Sequence, residues 1–349
     1  MSHRDPMGRR DPMGRRDPMG RRDPMGRRDP MGRRDPMGRR DPMGRRDPMT
    51  GPHPPGRPVS AQLIRSFSVG TLSCALISDG QMEPPWEPAL ADFFTPDAGV
   101  PEDELRAAEQ HEEHGRTTLA CGYNCLCVET SAGLAVIDTG LGRNFLGYGP
   151  DISPLVGQLG AGLRALGFTA ADPAAVVLTH LHEDHARGAV WSGRPTFPEA
   201  TAFAHSAEIA YWSDAASQAP GEQRGPAQEA IRLFGERLRP VEYDTEILPH
   251  VHTVNAAGHT PGHMAVLLKS GRERLLCVGD SFYDRLQLSH PEWRTPWDLD
   301  GERSVRSRRR ILERAAAEHL PVHAYHMPFP GLGLVERQGS AFRWKPILF

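Results

Sequence analysis

Cysteine is scarce in this sequence: Cys74, Cys121, Cys125, Cys127 and Cys277 in 349 residues. The number is odd and no spacing makes a strong zinc knuckle, so nothing points to a disulfide framework. Cys125 and Cys127 alternate along an expected strand and should share a face, as buried reduced thiols. No apolar run reaches bilayer-spanning length. No segment combines the basic start, apolar stretch and small-residue cleavage site of a signal peptide. The expectation is a cytoplasmic protein with no membrane partner. Positive charge is also missing from most of the chain. The formal net charge is −3, yet residues 1–49 hold 15 arginines against 8 aspartates. The other 300 residues are therefore about 10 negative by formal count, which argues against a general nucleic-acid binder.

Residues 1–49 are copies of Asp-Pro-Met-Gly-Arg-Arg, beginning at Asp5 and ending in a truncated copy at Asp47. A proline and a glycine in each repeat oppose both helix and strand, and one methionine per repeat makes no core. Disorder is expected there, followed by a Pro/Gly-rich linker over 50–60. Residues 61–349 can build one large core.

The most informative stretch is Thr179-His180-Leu181-His182-Glu183-Asp184-His185. It follows Ala175-Val176-Val177-Leu178, an apolar run of strand character. His180 and His182 are two apart and point the same way on an extended backbone. Asp184 and His185 lie past the strand end, where a turn can bring them back. Imidazole and carboxylate suit zinc, iron, cobalt or manganese, and two ligand pairs in one segment suggest two divalent cations. Three further candidates lie downstream. Gly258-His259-Thr260-Pro261-Gly262-His263 is a rigid bend after a strand, and sequence physics does not separate His259 from His263 as a ligand. Asp280 ends an apolar run, where a carboxylate can bridge two cations. His326 follows a short strand.

In this order the motifs resemble the metallo-β-lactamase fold, closest to its branch of N-acyl-homoserine lactonases and methyl-parathion-hydrolase-like enzymes. The ending His326-Met327-Pro328-Phe329-Pro330-Gly331-Leu332-Gly333 is similar to that branch. The resemblance spans about residues 60–349. It implies an α+β, four-layer αββα sandwich and one metal on His180, His182 and His259. A second metal would sit on Asp184, His185 and His326, with Asp280 shared and His263 packed below. It places Asp138, in Asp138-Thr139-Gly140, under the site as a structural residue. It also implies that Tyr283 contacts a substrate carbonyl, that Phe93 and Phe94 are candidates for a substrate wall, and that the protein is a homodimer. Where the family often has two glycines after the first motif, this chain has Arg187-Gly188. That guanidinium could pair with a carboxylate or a substrate phosphate, or face solvent.

Around these motifs, strands are expected at Leu63-Ile64, Leu72–Ile77 and Thr201–His205, with Asp79-Gly80 as a turn. A hairpin is expected from Tyr123–Glu129 and Leu134–Ile137, another from Met264–Lys269 and Arg274–Val278. Further strands are expected at Val251–Val254, Pro321–Tyr325 and 340–348. Helices are expected at Leu155–Leu166, Ser206–Trp212, Gln228–Leu238 and Glu302–Glu318, with Pro220–Gly225 as an interruption. Residues 82–117 form a long excursion with a short helix near Glu102–His114, suited to a lid. Asp298 and Asp300 are expected as a helix cap and an arginine partner.

Two cations about 3.5 Å apart would lower the pKa of a water and polarise a carbonyl. The substrate is expected to be a small-molecule ester or lactone. The leading expectation, which the resemblance implies, is hydrolytic opening of a lactone such as an N-acyl-homoserine lactone, with Asp184 passing a proton to the leaving oxygen. The alternatives are an organophosphate or aryl esterase, a thioesterase, and, from another class, a diiron redox or non-catalytic metal-binding module.

Overall fold

A computed structural model describes residues 63–82, 87–111, 117–143, 156–217 and 221–347. The hexapeptide repeats, the linker, part of the expected excursion (83–86 and 112–116), and Leu155 at the start of the expected helix lie outside the described residues. The first sheet contains β1 (Ile64–Val69), β2 (Leu72–Gln81), β3 (Gly122–Thr130), β4 (Gly133–Ile137) and β5 (Pro173–Val177). A two-stranded ribbon of β6 (Val190–Trp191) and β7 (Arg194–Pro195) intervenes, and β8 (Thr201–His205) and β9 (Leu238–Val241) complete the sheet. The second sheet runs β10 (Glu246–Leu248), β11 (Val251–Asn255), β12 (Met264–Ser270), β13 (Glu273–Cys277), β14 (Pro321–His323), β15 (Leu332–Gln338) and β16 (Ala341–Pro346). β4, β5, β8 and β9 are mutually parallel, as are β13 and β14; the remaining pairs are antiparallel.

Residue parity shows why the molecule has four layers. In β2, Leu72, Cys74 and Leu76 join Met264, Val266 and Leu268 of β12 in a core between the sheets. Their neighbours Ala75 and Ile77 face outward, into a core shared with Leu159 and Leu163. In β12, Ala265 and Leu267 face Ile311, Leu312 and Ala315 of the helix Gly301–Ala317. Strands covered on both faces need apolar residues at consecutive positions, hence runs rather than alternation. Cys125 and Cys127 do share a face, the outer one, and all five thiols are buried and free.

Local signals place the helix ends. Leu159–Ala165 closes with Gly167 at φ 90°, and the Phe168 amide reaches back to the Leu163 carbonyl at 2.9 Å. That is a Schellman end, which glycine permits without strain. Asp300 caps Gly301–Ala317 by accepting from the Arg303 amide at 3.0 Å.

Several expectations need correction. Asp79-Gly80 is not a turn; β2 continues to Gln81 through a bulge between Ser78 and Gly80. Of the interruption expected over Pro220–Gly225, Pro220 lies outside the described residues and Gly221–Gly225 belong to a helix, Gly221–Phe234, with Pro226 inside it. A proline in the second turn removes only one amide from the ladder. β9, β10 and β15 are short or polar strands that apolar patterning did not reveal. The excursion after β2 carries helices Leu90–Phe93 and Glu102–His111. Leu90, Phe94, Val100 and Leu105 bury into the outer core of the first sheet. No helix among the described residues is long and apolar enough to cross a membrane.

Candidate active site

β5 feeds Leu178 and Thr179, and the chain then carries His180 and His182 with ring centroids 4.7 Å apart. His182 is the extended N-cap of the one-turn helix Glu183–Ala186, and that turn swings Asp184 and His185 back toward the same point. Asp138 sits beneath, at φ 55°, a conformation that Asp adopts more readily than most residues. One of its oxygens accepts the Thr179 amide at 2.8 Å. The other accepts the Thr179 hydroxyl at 2.8 Å and lies 2.9 Å from His185 Nδ1. His185 is thereby turned so that Nε2 faces the site. A side chain at Gly188 would run into the Thr139 carbonyl, so the chain after His185 needs glycine there.

The second sheet supplies the other side. His259 Nε2 lies 2.8 Å from His182 Nδ1, and its Nδ1 lies 3.2 Å from Asp298 Oδ1. His263 has both ring nitrogens engaged: Nδ1 with the Ala256 carbonyl at 2.9 Å, and Nε2 accepting the Asp280 amide at 3.0 Å. It therefore supports Asp280 from behind and has no lone pair to offer. His326 Nδ1 lies 2.9 Å from the Gly122 carbonyl and 3.2 Å from Cys121 Sγ, which turns its Nε2 inward.

Asp280 joins the two halves. Its Oδ2 faces His259 Nε2 at 3.4 Å and His180 Nε2 at 3.8 Å. Its Oδ1 faces His185 Nε2 at 3.0 Å and His326 Nε2 at 3.3 Å. Two groups of ligand atoms result: His180, His182, His259 and Asp280; and Asp184, His185 and His326. Within each group the donor atoms lie within 4.8 Å of one another. Nε2 of His180, His185 and His326 and Oδ1 of Asp280 are buried without a hydrogen-bond partner. Buried polar atoms are rarely left so, and a pair of divalent cations would satisfy all four.

The electrostatics agree. Burial, with neighbouring imidazoles, pushes His180 and His182 well below the ordinary histidine range, so both stay neutral as metal ligands require. Burial acts the same way on His185, but Asp280, Asp138 and Asp184 outweigh it and hold the ring up to about 10. Burial likewise opposes ionisation of Asp280, whose carboxyl the surrounding histidines nevertheless hold well below its usual range. Carboxylates that would retain a proton on His185 equally favour a cation in its place.

Tyr283, buried, places its hydroxyl 3.3 Å from His259 Nδ1 and stacks its ring on His326 at 5.0 Å. Phe93 packs against Tyr283 at 5.5 Å and Trp297 at 4.5 Å, whereas Phe94 is fully buried against Trp293 at 5.4 Å. Of these two phenylalanines, Phe93 is the one whose ring contacts Tyr283. The Arg187 guanidinium pairs with Glu183 at 2.7 Å. Asp298 is the expected arginine partner: it faces Arg308, whose buried guanidinium also donates to the Ser281 carbonyl at 2.7 Å. On the same helix Arg306 and Arg309 pair with Glu302 and Glu292 near the surface.

Two supports escaped the sequence. Glu208, fully buried, accepts from the Leu181 amide at 3.0 Å and the Trp212 indole at 2.6 Å with one oxygen. The other accepts from the Thr260 hydroxyl at 2.6 Å and the Gly262 amide at 2.9 Å. One carboxylate thus ties the first ligand motif to the second. Asp79 accepts the amides of Gly142, Gly157 and Leu159 at 2.9–3.1 Å. Neither pattern has a local signature, since the donors come from distant segments.

With Asn at 138, the left-handed turn should survive while the acceptor for His185 weakens. We expect Asp138→Asn to fold normally and to bind its second metal about 10-fold to 100-fold more weakly, as removal of such outer partners does elsewhere. Calorimetric metal titration with circular dichroism checks this; unchanged affinity would remove Asp138 from the site.

The family model of the Metallo-beta-lactamase superfamily matches residues 118–326. This chain belongs to the metallo-beta-lactamase superfamily. It is 29% identical over 258 residues to a probable metallo-hydrolase of Mycobacterium tuberculosis, covering 66% of this chain and 80% of that one. Among solved structures it is similar to AidC, a dizinc quorum-quenching lactonase in complex with a product. The TM-score is 0.73 at 24% identity, covering 82% of this chain and 99% of that one. It is also similar to the hydrolase AbOPH, with a TM-score of 0.69 at 22% identity, covering 83% of this chain and 99% of that one. The αββα layering and the paired ligand clusters make this member of the superfamily a metal-dependent hydrolase with a dinuclear centre.

Proposed function

We propose that the dinuclear centre is zinc-loaded, uses the seven ligands described above, and opens lactones such as N-acyl-homoserine lactones. The observation that carries the reading is the pairing of a buried phenol with a single accessible acid around those ligands. Bound cations supply Lewis-acid polarisation of the scissile carbonyl and a hydrolytic water of lowered pKa. Tyr283 is positioned to donate its O–H to the carbonyl oxygen as negative charge develops. Burial, then Asp280 and Asp298, hold that phenol well above its ordinary range, so it keeps its proton. Asp184 is 24% exposed while the other six ligands are 5% or less, so Asp184 can exchange a proton with a departing alkoxide. Ring opening tethers the leaving oxygen to the acyl product, so one nearby acid suffices. Phe93 and Trp297 give the apolar wall for an acyl chain. The relative solved with its product is itself a lactonase. The pairing of Arg187 with Glu183 counts against a phosphoester reading, which would want that guanidinium for the substrate.

Tyr283→Phe should lower kcat about 10-fold to 100-fold with metal content unchanged, the range for losing an oxyanion donor or somewhat less. Proton release on ring opening of N-hexanoyl-homoserine lactone, beside phosphotriester turnover, tests the assignment. A faster phosphotriester reaction would replace it, and loss of metal in Tyr283→Phe would make the tyrosine a support of the centre.

A further inference from the structure

A cavity lies just behind the first ligand motif, and no candidate metal ligand is among its lining residues. Its volume is about 750 Å³, within the usual range for small-molecule pockets. Thr139, Gly142 and Arg143 line it after β4, and Gly188, Val190 and Trp191 after β5. β4 and β5 are parallel, so the cavity lies beyond the carboxyl ends of parallel strands, where open α/β sheets bind ligands.

Its charge is out of character with the domain. Three arginines, Arg143, Arg164 and Arg194, face one carboxylate, Asp79. Asp79 is buried and spent on backbone amides. Among the described residues, none of the three guanidiniums has an ion pair or hydrogen bond, while Arg187, Arg308 and Arg309 nearby in sequence or fold are all paired. Unpaired cations around a concave site on a net-acidic domain favour an anionic occupant. Trp191 and Phe197 give the cavity an apolar face.

We infer that this cavity binds a small molecule bearing a phosphate or carboxylate group, held by Arg143, Arg164 and Arg194. It abuts the catalytic loop directly. The Gly188 amide donates to the Gly140 carbonyl at 2.9 Å, and the Thr139 amide donates to the His185 carbonyl at 2.8 Å. An occupant would therefore stiffen the two turns that carry Asp138 and His185.

Inorganic phosphate and succinate, titrated separately into the full-length metal-loaded protein, distinguish the two sources of anionic group. A concentration-dependent rise in Tm with either is expected. It should persist in Asp280→Ala, and the affinity should fall at least ~10-fold in Arg143→Gln/Arg164→Gln/Arg194→Gln. Arg164 and Arg194 are exposed, so Arg164→Gln/Arg194→Gln should keep the starting Tm and still weaken binding. No rise in the unsubstituted protein overturns the inference. So does a rise that survives the arginine substitutions but disappears in Asp280→Ala, since the anion would then sit on the metals. Lactone turnover is not the readout, so failure of the proposed reaction leaves this result intact.

Discussion

Asp280→Ala should lose both bound metals and drive lactone or ester turnover to background. The reason lies in how its oxygens divide: Oδ2 serves the His180 and His259 side, and Oδ1 serves the His185 and His326 side. Neither cluster keeps a carboxylate bridge without it. The loss should exceed the roughly 10-fold to 100-fold cost of removing a partner one bond further out. Elemental analysis after gel filtration, with a turnover assay, measures it. A variant retaining two metals and activity close to that of the unsubstituted protein would show that the halves of the centre operate without a bridge.

Glu208→Ala should be the most destabilising change away from the ligands. Four donors from three segments converge on this carboxylate, and all are left without acceptors inside the protein. A buried unsatisfied group costs about 1–3 kcal/mol, and partial relaxation brings the expected total to about 3–5 kcal/mol. In a domain of this size that lowers Tm by about 10 °C. Glu208→Gln, with only one acceptor oxygen, should fall between. Because the carboxylate ties Leu181 to Gly262, metal affinity should fall with stability. A thermal melt of Glu208→Ala within a degree or two of the parent would sink the argument.

The first four candidate metal ligands were legible because their chemistry is local. His180, His182, Asp184 and His185 occupy one strand end and one turn, and spacing alone suffices to converge them. His259 against His263 was not separable from spacing. The structure separates them by what the ring nitrogens of His263 already bind. Much of the fold was legible for a similar reason, since strands buried on both faces leave continuous apolar runs. β9, β10 and β15 were not, being short or carrying polar residues. Glu208 and Asp79 stayed hidden because a carboxylate fed by distant backbone amides has no periodicity and no motif. Asp79 in fact read as a turn, although it lies at a bulge within β2 and anchors the segment leading to Leu159.

Four of the candidate ligands hang from loops of one sheet and three from loops of the other. The cations would then act as rivets between two half-sandwiches. A chelator would withdraw a fastener from the edge of the inter-sheet core, so the protein's resistance to unfolding should track its metal occupancy.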